Sequence, residues 1–123
     1  MYLGSSTILG ELNLDSVKIT GRTANLPLMV VEGGVNLRNA DFECNAEMRF
    51  SWFGGKVIAK GAQFHDSNYF GHTHFGSLDF SRVVVHKHPL YFNSAEFAGP
   101  VLFEKSELHR GATFEDAQFH DTV

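Results

Sequence analysis

A step of twenty-two residues organises this chain. From Leu9 it reaches Val31, Phe53, Phe75, Phe97 and Phe119, and from Leu26 it reaches Met48, Phe70, Phe92 and Phe114. Two further columns, with single-residue slips, run Leu14, Leu37, Ile58, Phe80, Phe103 and Ile19, Phe42, Phe64, Val85, Leu108. Every member of the four columns is apolar, and eleven of the twelve phenylalanines lie in them. With hydrophobic residues at 43% of the chain, random placement would leave about half of these positions polar. Such a repeat dictates a solenoid, because one unit cannot bury its own apolar face and must stack on its neighbours.

Within one beat the apolar residues fall five or six apart, as in 31, 37, 42, 48 and 53. Neither the 3.6 period of a helix nor the alternation of a long strand fits. Four short strands per coil do fit, each sending one large side chain inward. A small residue often precedes the large one by two, as in Ala24, Ala40, Ala46, Ser51, Ala62, Ala95, Ser106, Ala112 and Ala117, which marks a shallower inward position beside each corner. Gly33, Gly55, Gly71, Gly76, Gly99 and Gly111 fall at the corners, where backbone freedom is needed. The spacings five, five, seven from Leu9 return 66 positions later from Phe75, with extra residues at one corner, in Thr20–Asn25 and His86–Tyr91. About five coils of about 22 residues, one strand spacing of about 4.8 Å apart, make an all-β prism on the order of 25 Å tall.

The units Ala40-Asp41-Phe42-Glu43-Cys44, Ala62-Gln63-Phe64-His65-Asp66, Ala95-Glu96-Phe97-Ala98-Gly99 and Ala117-Gln118-Phe119-His120-Asp121 resemble the motif of the pentapeptide-repeat proteins: small, polar, Leu or Phe, polar, polar. The alternation of five and six is similar to the Phe-rich variant of that family. The resemblance covers most of residues 24–121, with 1–23 a less regular first coil of the same single domain. It implies a right-handed, quadrilateral β-helix. Some members of the family are DNA-mimicking inhibitors of type II topoisomerases, but here ten Lys and Arg interrupt any acidic stripe and the net charge is only −4.

Composition narrows the function classes. A pI near 5.9 argues against a nucleic-acid binder, which normally presents a basic face. No apolar run approaches the length of a membrane span, the start lacks the features of a signal peptide, and the lone Cys44 excludes an internal disulfide. The expectation is a cytoplasmic, non-enzymatic module with no cofactor and no small-molecule substrate. The alternative of a left-handed β-helix enzyme conflicts with the five/six spacing, because those folds resemble an 18-residue coil with a six-residue beat.

Two surface clusters stand out once residues 22 apart are stacked. Phe50 and Trp52 flank the inward Ser51, with Leu28 and Val30 one coil below and His72 and His74 one coil above. An outward strip of this kind has the composition of a contact surface for a protein partner or a second copy, with Trp52 as anchor. The competing readings are that the N-terminal segment covers the strip, or that Phe50 is a corner residue. His65, His86, His88 and His109, with Lys87, Asp66 and Glu43, share one corner: weak metal-ligand candidates on one reading, a solvated ridge on the other. Tyr69 and Tyr91 should stack outward one coil apart, and Cys44 has no partner that would make it nucleophilic. The sequence stops in mid-pattern, so Phe114 and Phe119 are expected to lie at an open end, met either by further chain or by another copy.

Overall fold

The computed structural model describes residues 5–120 apart from 22 and 26. Among them there is no helix, so none long and apolar enough to cross a membrane. The chain winds as a parallel β-solenoid in which each coil crosses four faces by short strands, most of two or three residues. The first face stacks Ile8, Val31, Phe53, Phe75, Phe97 and Phe119 in register. The third stacks Ile19, Phe42, Phe64, Val85 and Leu108. The fourth stacks Ala24, Ala46, Asn68, Leu90 and Ala112 in the shallow position. Met48, Phe70 and Phe92 are buried just beyond it. Leu26, expected at the base of that column, lies outside the described residues.

Two column assignments need correction. Ile8, not Leu9, pairs with Val31, which leaves Leu9 74% exposed. Ile58 aligns with Asn36 and Asp79 on the outside of the second face, and fully buried Ala59 takes the inward place between Leu37 and Phe80. In both cases two neighbouring residues could serve, and strand alternation from the preceding corner decides which turns inward. The shallow position is also less restrictive than its alanines suggest. Met29, Val35, Val57, Leu78 and Leu90 occupy it and are buried. Asn68 occupies it as well, fully buried, and neither atom of its amide has a hydrogen-bond partner.

Inside, rings stack along the axis and meet edge-on across it. Phe42 lies 4.9 Å from Phe64 at 2°, and Phe75 lies 5.2 Å from Phe97 at 8°, whereas Phe64 meets Phe70 at 86°. The coil spacing enforces the first arrangement, and the positive ring edge favours the second. Burial of each such ring contributes about 1.5–3 kcal/mol.

Corners are built in two ways. Where the first face turns into the second, Gly33, Gly55, Gly76 and Gly99 approach the coil beneath so closely that a Cβ on Gly76 would lie 2.4 Å from the Gly54 carbonyl oxygen. Strands Trp52–Ile58 and His74–Asp79 bend around this corner without a break. The coil through Gly76 is one residue shorter here, and its next-but-one corner, His86 to Pro89, is one longer, so the beat of twenty-two survives. The corners leading into the first and third faces are type II turns, with the third residue at positive φ. At the corner into the first face those residues are Ser5, Leu28, Phe50, His72, Ser94 and Asp116, with φ of 60, 57, 60, 53, 58 and 58°.

Candidate interaction surface

The six strip residues stand together where the sequence puts them. Val30, Trp52 and His74 project outward from adjacent strands of the first face, and Leu28, Phe50 and His72 project from the turn that leads into it. Phe50 stacks on His72 at 4.8 Å and 7°, and Trp52 stacks on His74 at 5.4 Å and 10°. Leu28 and Phe50 are each 56% exposed, Trp52 44% and Val30 36%. The Trp52 ring lies against its own strand: a Cβ on Gly54 would fall 2.5 Å from it, so glycine there makes room for the indole. Phe50 is a corner residue and is exposed as well. The described N-terminal residues do not cross the strip; Thr7 and Ile8 pair beneath Val30 and Val31 as the next layer of the stack.

One coil above His74 the chemistry changes. Glu96 Oε1 lies 2.5 Å from His74 Nδ1, and Glu96 Oε2 lies 3.1 Å from His120 Nε2. These hydrogen bonds, that of His74 foremost, hold the Glu96 carboxyl below its ordinary pKa. The outward column thus passes from Val30 and Trp52 through an imidazole to an ionic end. His120 lies two coils above His74, beyond the neighbouring-coil step that brings the other strip residues together.

Beside the strip runs a shallow groove of about 450 Å³, walled by Pro27, Leu28, Phe50, Glu47, Arg49 and Tyr69. Arg49 Nε is 2.8 Å from Glu47 Oε1, and its guanidinium sits 5.0 Å over the Tyr69 ring. Tyr69 and Tyr91 stack at 5.4 Å, as expected, so they present edges rather than faces to solvent. A second depression of about 270 Å³ continues upward between Arg49, Tyr69, His72 and Tyr91. Glu47 ends the strand Asn45–Glu47 and Arg49 lies in the turn after it, so their pairing follows from side-chain direction rather than from residue spacing.

The histidine corner also assembles, in a different form. His65 stacks on His86 at 4.4 Å and 5°, and His86 on His109 at 6.2 Å and 15°. Three of the four histidines find a local partner: His65 Nε2 lies 2.8 Å from Asp41 Oδ1, His86 Nε2 lies 3.2 Å from Gln63 Oε1, and His88 Nε2 lies 3.5 Å from Asp66 Oδ1. Parallel rings point their nitrogens along parallel lines rather than toward a common centre. Among the described residues no three His, Cys, Asp or Glu side chains form a group that could hold a metal ion. Burial, then the neighbouring His65 and His109, lowers the pKa of His86. Cys44 is buried, and burial raises its thiol pKa. At the last described coil Phe119 is 48% exposed and Phe114 half-buried, the two rings 5.7 Å apart.

The chain matches no protein-family model, no curated protein and no solved structure.

Proposed function

We propose that this chain is a non-enzymatic β-solenoid of the pentapeptide-repeat type, and that it works as a rigid interaction module through the strip centred on Trp52. The observation that carries the reading is the continuous exposure of Leu28, Val30, Phe50 and Trp52 on two successive coils. Apolar rings at this exposure are contact residues rather than core. The family reading rests on the Ala-x-Phe units, whose Ala40, Ala62, Ala95, Phe42, Phe64 and Phe97 are all buried.

Backbone strain supports the functional reading. A left-handed conformation costs an L-residue with a Cβ roughly 1–2 kcal/mol and favours Gly or Asn. At the same turn position other coils use Ser94 and Asp116, whereas Leu28 and Phe50 hold bulky apolar groups there. Folding alone does not select those two side chains. Display of a contact surface does.

Trp52 is the only tryptophan, so its fluorescence reports on the strip directly. The expected outcome is a blue-shifted emission and protection from acrylamide as the partner or a second copy is titrated in, both lost in Phe50→Ser. Quenching that stays at the level of a half-exposed indole, up to about 100 µM protein and in concentrated cell extract, contradicts the reading.

A further inference from the structure

Resting on the strip as an interaction surface, we propose that its partner is a second copy of this chain, packed face to face and antiparallel. The two-fold axis would cross the solenoid at the level of Phe50 and Trp52.

The argument is one of symmetry. A two-fold interface brings one patch against itself, so the patch must read alike in both directions from the axis. This strip does. One coil from Phe50 and Trp52 lie Leu28 and Val30 on one side and the imidazoles of His72 and His74, stacked on the central rings and edge-on to solvent, on the other. Two coils away both directions turn hydrophilic, to Ser5 and Thr7 below and to Ser94 and Glu96 above. A foreign partner imposes no such mirror order on a surface. Under this pairing Trp52 meets its own copy at the centre, His74 covers Val30 of the other protomer, and Glu96 faces the hydroxyls of Ser5 and Thr7. The register that would align equal levels in parallel instead sets Glu96 against Glu96, two like charges at one height.

Size and shape agree. Half-exposed Phe50 and Trp52 with Leu28 and Val30 offer on the order of 300–400 Å² of apolar surface. That is the apolar core of an interface of about 800 Å² per copy, with the hydroxyl and carboxylate residues as its polar rim. The first face is a ladder of six parallel strands from Thr7–Ile8 to Gln118–Phe119, a plate that can lie against its own copy at about 10 Å.

Single-cysteine variants test the arrangement while leaving Phe50 and Trp52 intact, and buried Cys44 does not compete. The antiparallel axis sets position 30 opposite position 74 of the other copy. Position 74 is then about 10 Å, two coils, from its own equivalent, beyond the roughly 7 Å that a disulfide spans. Mild oxidation of an equimolar mixture of Val30→Cys and His74→Cys should therefore give covalent dimers, and neither variant alone should. Cross-linking of each variant with itself overturns the antiparallel pairing. Absence of covalent dimer in all three samples, with Trp52 fluorescence responding only to added foreign protein, overturns the second copy as partner while leaving the strip an interaction surface.

Discussion

Two ladders of stacked rings climb the outside of this solenoid, and they differ in how far the chain itself completes them. In the histidine ladder His65 is answered by Asp41, His86 by Gln63 and His88 by Asp66. In the strip the rings are stacked just as closely, but Leu28, Phe50 and Trp52 still leave about half of their surface to solvent. The lesson is that stacking marks no site in a fold of this kind. A coil repeat places any residue above its equivalent about 4.8 Å away. What distinguishes a contact surface is the chemistry left unanswered after the stack has formed.

Both ladders ride on the inner one, so breaking that should break both. Phe64→Ala removes a fully buried ring stacked on Phe42 and set edge-on to Phe70. The expected loss, read as the shift in a urea unfolding curve, is about 3–5 kcal/mol. A smaller change of opposite sign comes from an interior amide with no hydrogen-bond partner among the described residues. Asn68 lies between Ala46 and Leu90 with neither amide atom bonded, and Asn68→Leu should raise stability by about 1–3 kcal/mol in the same experiment. If stability falls instead, the amide is satisfied in solution.

Outside, acid separates the two ladders by pH window. His86 has a folded pKa below the ordinary imidazole value of 6.5, through burial first and then the charges of His65 and His109, with Asp41 and Glu107 opposing. The unfolded chain therefore takes up the proton more readily. This contribution to stability is fully present above about pH 6.5 and is lost as pH falls through the lower folded value. Because His86 is well exposed, screening limits the loss to a few tenths of a kcal/mol, about the size of an exposed charge contact. A wild-type urea midpoint that drops more than that of His86→Gln between about pH 7.5 and about pH 5.5 checks it. The carboxyl of Glu96, held down by His74 and then His120, acts elsewhere. Its contribution is present above the ordinary carboxylate value of 4.5 and is lost only as pH falls through a lower one.

The change expected to leave the fold intact is the most informative. Phe50→Asn removes a large apolar residue, yet that residue is exposed and its φ is 60°. Asparagine tolerates that conformation better, so thermal stability should hold or rise by up to about 1 kcal/mol while the Trp52 fluorescence response disappears. A clear drop in stability would assign Phe50 to the fold.

How much of this was legible depends on what each feature costs in residue choice. Column members such as Phe53, Phe75 and Phe97 must be large and apolar, so a fixed step finds them. At Ile8 and Leu9, or at Ile58 and Ala59, composition allows two answers and only the corner geometry chooses. The type II turns left almost no trace, because among the described residues Gly61 is the only glycine at the φ-positive position of either turn column while Leu28, Phe50, Arg82 and Lys105 stand there too. The strip was readable because outward neighbours at i and i+2 repeat with the coil. The groove beside it, formed where Arg49 folds over Tyr69, depended on side-chain directions that spacing does not encode.

Sedimentation velocity on the wild type, Trp52→Glu and His86→Glu compares the two ladders in one experiment. The account predicts dimer mass for the wild type and for His86→Glu, and monomer for Trp52→Glu. Equal mass in all three would contradict the second copy as partner, and loss of the dimer only in His86→Glu would contradict the claim that the strip rather than the histidine ladder is the contact surface.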